Sequence, residues 1–333
     1  MEMRQTTTDL YHVLMLVVLV AALLFLLTWT GVMRCSAVPG WCDAYWLAIR
    51  GGPPKVLIVY GIEGMGDPDL LRQELASPQH AGVQAAQSRL DLVNLGNIKK
   101  YDLVIVEKAR QISTAKLKMF MEYVNSGGRL VWTGDAGTQL APGDELLLSN
   151  EDPDLNTDKA MPINPWRRKD FDRVIGFDTF LSVGYVTTFC QIKPCSTRTP
   201  WQGLLRADPA RDHPLVYGLR EGLVLRGDFA IVKPLDDVPS TRVLSLDWES
   251  SLIAANSSTY SQWYPANYTD TNWDIGVPVS NNANLGNSFP IIQTSGVGER
   301  VAYYAVPPEQ FVAPDLPEKY YSILENMYYG MIK

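Results

Sequence analysis

The chain has 333 residues, 46% hydrophobic and 20% charged, with a formal net charge of −7 at pH 7. This balance suits a globular domain and excludes a nucleic-acid binder, because the basic residues are scattered. Their one local cluster, Arg167-Arg168-Lys169, is followed at once by Asp170 and Asp172 and reads as a solvated turn.

From Leu10 to Met33 there is no Asp, Glu, Lys or Arg, and Val13 to Leu27 is almost wholly Val, Leu, Ala, Met and Phe. At about 1.5 Å per residue this run covers a hydrocarbon core of roughly 30 Å. Residues 10–33 are therefore predicted to form one transmembrane helix, with 1–9 as a cytoplasmic N-terminus and 34–54 as a linker. The competing reading is a cleaved secretory signal, but its apolar region usually runs only about 7 to 15 residues. Trp29, Trp41, Tyr45 and Trp46 flank the segment as interfacial aromatics would.

Charge decides orientation poorly, since Arg4 precedes the segment and Arg34 and Arg50 follow it. The four cysteines fall into two close pairs, Cys35 with Cys42 and Cys190 with Cys195, without the spacing of a zinc or redox site. Two local disulfides are the natural reading. Asn256-Ser-Ser and Asn267-Tyr-Thr are acceptor sequons, which would make the chain a glycoprotein. Together these features predict a single-pass signal-anchor protein of the cell membrane, with its large C-terminal domain extracytoplasmic.

That domain, 55–333, opens after the linker Gly51-Gly-Pro-Pro. Lys55 to Tyr60 is a continuous apolar run of the kind buried on both faces of a parallel sheet. A loop from Gly61 to Gly66 leads to Asp67-Pro68, an N-cap followed by proline at the first helical position. Leu90 to Leu95 and Asp102 to Val106 are the next strand candidates. Ser113 or Thr114 caps a helix through Val124, closed by Gly127-Gly128, and Arg129 to Trp132 is a further strand. This order implies an α/β fold: a parallel sheet with flanking helices.

Residues 140–290 read as a β-rich insertion or second layer, with strand candidates at Val174 to Val186, Phe229 to Val232 and Val243 to Trp248. Asp152, Asp154 and Asp158 form an acidic loop that lacks the glycine and closing glutamate of a calcium loop, and so reads as solvated. Trp248, Tyr260, Trp263, Tyr264, Tyr268 and Trp273 gather among Asn and Ser residues, which suits a protein interface or sugar stacking as well as core packing. Pro317 to Ile332 has apolar residues at helical spacing and is expected to dock on the sheet.

In such a sheet ligands bind beyond the carboxyl ends of the strands. Two glycine-containing loops qualify, and Glu63, Gly64, Asp67, Asp135 and Gly137 are the candidate ligand-binding residues. Simple turns are the competing reading. The spacing of Gly61, Gly64 and Gly66 is not a dinucleotide fingerprint.

The Tyr101-Asp-Leu-Val-Ile-Val, Tyr123-Val-Asn-Ser-Gly-Gly-Arg-Leu-Val, His213-Pro-Leu-Val-Tyr-Gly-Leu and Gly298-Glu-Arg-Val-Ala-Tyr-Tyr phrases, with Pro308-Glu309, resemble the class I glutamine amidotransferase-like fold, a flavodoxin-like architecture. The likeness is greatest to its non-amidotransferase, trehalose-utilisation-like branch. Active members carry a cysteine in a Gly-x-Cys-x-Gly elbow and a late His-Pro-Glu phrase. The resemblance places Asp135 at the cysteine position and Pro307 at the histidine position, so it implies a pseudoenzyme without glutaminase or peptidase chemistry. Asp135 and Glu309 remain as candidate catalytic carboxylates, able in principle to act as a glycosidase pair or to bind a hard cation. Structural roles in a glycine-rich turn are the alternative.

The expected function is a membrane-anchored binding or scaffold subunit without cofactor or metal, its partners membrane lipid and other membrane or surface proteins. The rival expectation is an extracytoplasmic carbohydrate-active hydrolase.

Overall fold

A computed structural model describes residues 2–30, 32–33, 35, 38, 40–77, 81–152, 158, 162–192, 195, 201, 203–207, 213–219, 225–248, 253–254, 283–316 and 320–332. Its contacts divide the chain into two compact units, Met1–Pro54 and Lys55–Ile332.

The first unit holds helices α1 (Glu2–Trp29) and α2 (Trp41–Arg50). Within α1, Leu10–Trp29 is a 20-residue stretch of mean hydropathy 2.8, long and apolar enough to cross a membrane. Cys35 and Cys42 are disulfide-bonded, with Cα atoms 4.7 Å apart. Trp41 Nε1 donates to Thr28 Oγ1 at 2.9 Å, and the Phe25 and Tyr45 ring centroids lie 5.6 Å apart. α2 ends at Gly51 in the left-handed conformation, φ 73°, where glycine carries no steric penalty.

The second unit is mixed α/β around an eight-stranded sheet. Its elements in chain order are β1 (Val56–Tyr60), α3 (Pro68–Ala76), β2 (Ala86–Arg89), β3 (Leu103–Glu107), α4 (Thr114–Asn125), β4 (Arg129–Thr133), β5 (Leu204–Ala207), β6 (Ser240–Asp247), β7 (Ser288–Ser295), β8 (Val301–Tyr304) and α5 (Tyr321–Met331). The spatial order is β5-β6-β7-β8-β4-β3-β1-β2. β2, β1, β3, β4 and β8 run parallel to one another, and β7, β6 and β5 continue antiparallel from β8. The central strands are continuous apolar runs because both faces are covered: Val56 to Val59 and Leu103 to Val106 are all buried.

Local signals set the helices. Asp67 accepts from the Asp69 and Leu70 amides at 3.2 Å and Pro68 stands at the first helical position of α3, which buries Leu71 and Leu75. Ser113 caps α4, which buries Leu117, Phe120, Tyr123 and Val124. α5 buries Ile323, Leu324, Met327, Tyr328 and Met331.

Several sequence expectations are corrected. The strand expected at Leu90–Leu95 is instead the polar edge strand β2, and Leu90–Leu92 is a 3₁₀ turn. β2 pairs only with β1, so its half-exposed position asks for no apolar run. Val174 to Val186 is not one strand: Arg173–Gly176 and Val183–Thr188 are separated by a short helix, Phe177–Leu181, which buries Phe177 and Leu181. Residues 140–290 are not wholly an insertion or separate layer, because β5, β6 and the start of β7 belong to the main sheet.

Arg167-Arg168-Lys169 is not a solvated turn. It lies in a strand, Arg167–Asp170, and Arg168 is fully buried. The Arg168 guanidinium donates to the carbonyls of Ile112, Gly137, Pro165 and Gln139 and to Asp144 Oδ2, so its charge is neutralised and its fork satisfied. Asp152 is buried rather than solvated, 3.0 Å from Arg167 Nη1. Asp158 is exposed, and Asp154 lies outside the described residues. Trp248 belongs to the core, packed edge-on against Phe189, Phe229 and Phe289. Tyr260, Trp263, Tyr264, Tyr268, Trp273 and both sequon asparagines, Asn256 and Asn267, lie outside the described residues.

Candidate functional site

Strand order reverses beside β1, which is flanked by β2 on one side and β3 on the other, so the carboxyl ends of β1 and β3 border a topological switch point. The register aligns those ends: Tyr60 is opposite Glu107, Val106 opposite Trp132, and Thr133 opposite Tyr304. The turns that follow, starting at Gly61, Lys108, Gly134 and Ala305, therefore meet along one edge.

Backbone hydrogen bonds knit these turns together. Lys108 N donates to Met65 O and Arg110 N to Glu63 O, each at 2.7 Å, while Gly61 N donates to Lys108 O at 3.1 Å. Gly137 N donates to Ala109 O at 2.8 Å, and Gly134 N to Tyr304 O at 2.7 Å. The turns approach too closely for most side chains: a Cβ at Gly134, where φ is +52°, would lie 2.9 Å from Met65 Cβ, and one at Gly64 3.0 Å from Asp135 Oδ1. Lys108 itself adopts φ 49°, an uncommon conformation for a non-glycine residue, and is held there by these bonds.

Two carboxyl centres result. At the first, Asp135 is buried, its Oδ1 accepts from Met65 N at 2.8 Å, and its Oδ2 lies 2.6 Å from Arg110 Nε. Burial pulls the Arg110 pKa down, but the Asp135 carboxylate beside it more than offsets this, and the net shift is upward. Tyr303 Oη donates to Gly134 O at 2.9 Å beneath the turn. Burial first, then the charges of Asp135 and Asp228, push the Tyr185 hydroxyl well above its ordinary range and keep it neutral.

At the second centre, Glu107 and Glu309 are both buried and stand within hydrogen-bonding reach of each other. Glu309 Oε1 also accepts from Asp67 N at 2.7 Å, whereas no donor among the described residues reaches either Glu107 oxygen. Glu107 has no counter-donor among the described residues and stands beside the Glu309 carboxylate, so burial and mutual repulsion favour its protonated form, which is able to donate to Glu309. Burial, then the Glu309 charge, raises Glu107 well above the usual carboxylate range; burial also raises Glu309, to about 7, against the lowering effect of the Asp67 amide.

Of the residues singled out from sequence, the structure brings Glu63, Gly64, Asp135 and Gly137 to the first centre. Glu63 contributes its carbonyl there and leaves its side chain exposed. Asp67 and Glu309 join at the second. Asp135 and Glu309 are each bonded to other partners, Arg110 and Glu107, which sequence reasoning missed. The signal for Glu107 was present: an acid closing the apolar run Leu103-Val-Ile-Val. Arg110 carried none, since its role depends on the turn after β4.

Cys190, Cys195 and Asp228 form the one group among the described residues whose ligand atoms lie close enough to share a metal ion, within 4.8 Å. The two cysteines are disulfide-bonded, which removes both sulfurs as thiolate ligands. Asp228 caps the adjacent turn, accepting from the Cys190 and Phe229 amides at 2.8 and 2.9 Å.

Neither a protein-family model nor a curated protein matches the chain. Solved structures similar to it include a β-galactosidase from Rahnella sp. R3, at 11% identity and TM-score 0.45, over 84% of this chain and 30% of that one. Another is a putative ThuA-like protein from Bacteroides uniformis, at 16% identity and TM-score 0.44, over 84% and 91% of the two chains. A third is the mmIFT52 N-terminal domain, at 11% identity and TM-score 0.44, over 84% and 98%. The chain thus spans less than a third of the β-galactosidase it matches.

Proposed function

We propose that the protein is a non-catalytic binding or scaffold subunit, anchored in the cell membrane by Leu10–Trp29 with its N-terminus cytoplasmic, and carrying an amidotransferase-like domain on the extracytoplasmic side. The observation that carries this reading is the state of Asp135. The group at the elbow has one oxygen held by the Met65 amide and the other by Arg110, leaving its side chain 2% exposed. A nucleophile or general base needs access to substrate, and this carboxylate is buried and engaged at both oxygens.

The same geometry weighs against the glycosidase reading. Acid and nucleophile or base in such enzymes stand about 5 to 9.5 Å apart across a sugar. Here Glu309 is buried against Glu107, and Asp135 against Arg110. The partners fitting a tethered domain of this kind are membrane lipid at the helix and other membrane or surface proteins at the domain.

The test is purification of the full chain in mild detergent, followed by light scattering and a panel of chromogenic glycosides. The proposal expects a defined complex with a stoichiometric membrane partner and no turnover. Glycoside hydrolysis by the wild type that is lost in Asp135→Asn or Glu309→Gln would overturn it.

A further inference from the structure

The loop between β1 and α3 is gripped from below by two acids from different parts of the sheet. Glu309, in the turn after β8, accepts the Asp67 amide at 2.7 Å. Glu107, the last residue of β3, lies beneath Gly66, where an added Cβ would come 3.1 Å from its Oε2 and where φ is +116°. The same loop supplies the Met65 amide to Asp135 and the Met65 carbonyl to Lys108 N. Closure over the acid pair and completion of the Asp135–Arg110 centre are thus one conformational state.

We propose that the Glu107–Glu309 pair is a proton-operated latch: while it holds a proton, the loop 61–67 is closed over it, and loss of the proton opens the loop and frees Asp135 from its Met65 bond. The physical ground is that both acids reach adjacent residues of one loop, Glu309 at the Asp67 amide and Glu107 at Gly66. Each is no more than 1% exposed, and no donor among the described residues reaches either Glu107 oxygen. One shared proton turns their repulsion into a hydrogen bond; without it, two negative charges share a dry site. The charged groups facing the pair are Asp67 from the loop, which adds to the repulsion, and Lys108 from the turn after β3, which opposes it. Gly64 and Gly66, both at positive φ, give the loop backbone freedom on either side of Met65.

The latch therefore closes in acid and opens in base, as the pair's last proton leaves. Burial raises both groups above their ordinary range and the Glu309 charge adds to this for Glu107, so opening is expected on the alkaline side of neutrality. In the open loop both acids regain solvent and return to the usual carboxylate range.

Hydrogen exchange of the full chain in detergent tests this directly. From pH 7 to pH 10 the peptide 61–67 is expected to open up to about tenfold more per pH unit, beyond the intrinsic base catalysis shared with the core peptide 129–133. Glu107→Gln places a permanent donor against the Glu309 carboxylate, so the excess should vanish with the loop still protected. A wild-type peptide 61–67 that tracks 129–133 across this range overturns the proposal, whether or not the variant folds. So does an excess that survives Glu107→Gln. Opening on addition of EDTA at constant pH overturns it as well, in favour of a divalent cation between the acids.

Discussion

Arg110 Nε lies 2.6 Å from Asp135 Oδ2, and the two partners differ sharply in exposure: the arginine side chain is 41% exposed and the aspartate 2%. The pair is therefore asymmetric in what each member leaves behind when it is removed.

Arg110→Ala should cost about 1 to 3 kcal/mol, because it leaves the Asp135 carboxylate buried with only the Met65 amide. Asp135→Asn should cost less, since the amide oxygen still accepts from Met65 and Arg110 can turn to water. Urea unfolding of both variants checks the order. Equal losses would mean that the ion pair itself, rather than the buried carboxylate, sets the cost.

Arg168 presents the opposite case, a cation with no solvent contact. Arg168→Ala strands the Ile112, Gly137, Pro165 and Gln139 carbonyls and Asp144, and should cost about 3 to 5 kcal/mol or prevent folding. Arg168→Lys should recover only part of this, because a point charge cannot fill a planar fork of acceptors. Thermal unfolding that ranks the wild type above Lys above Ala is the expected result; a lysine variant as stable as the wild type would remove the geometric argument.

What was legible in the sequence was what depends on neighbours in the chain. The apolar runs of β1, β3 and β4, the Asp67-Pro68 start of α3 and the Ser113 cap of α4 are all local signals, and the mixed α/β sheet follows from their order. What was missed depends on distant groups. Arg168 looks solvated beside Arg167 and Lys169, and only carbonyls 31 and 56 residues away make it a core residue. β2 was misplaced because an edge strand carries no buried run to announce it. At the site, the glycines and Asp135 marked the right turns, yet the partners that give Asp135 and Glu309 their character, Arg110 and Glu107, came from the end of β3 and the turn after it.

The acid pair also predicts how global stability varies with pH. A carboxyl whose folded pKa is raised contributes stability that is fully present below its unfolded value and is lost as pH rises through the folded one. For Glu309, raised from 4.5 to about 7, the loss runs across that interval, and it is on the order of 3 kcal/mol. Glu107, raised by burial and by the Glu309 charge, contributes in the same direction. The second unit should therefore melt at a higher temperature at pH 5 than at pH 8, and Glu107→Gln should flatten the slope. A melting temperature that rises between pH 5 and pH 8 in the wild type, then stays unchanged in the variant, would show that other groups dominate.

The last prediction separates the two units. None of the residues of Leu10–Trp29 is buried within the structure, and most are exposed. Twenty residues at about 1.5 Å each give roughly 30 Å, the thickness of a hydrocarbon core, and this match is the ground for the prediction. Lys55–Ile332, by contrast, is a compact unit with its own buried sheet. The full chain should stay with membranes through alkaline carbonate extraction, while a chain beginning at Lys55 should appear in the supernatant with the same melting temperature as the domain in the full protein. Release of the full chain by carbonate would refute the anchor. Retention of the shortened chain would place a second lipid contact on the domain itself.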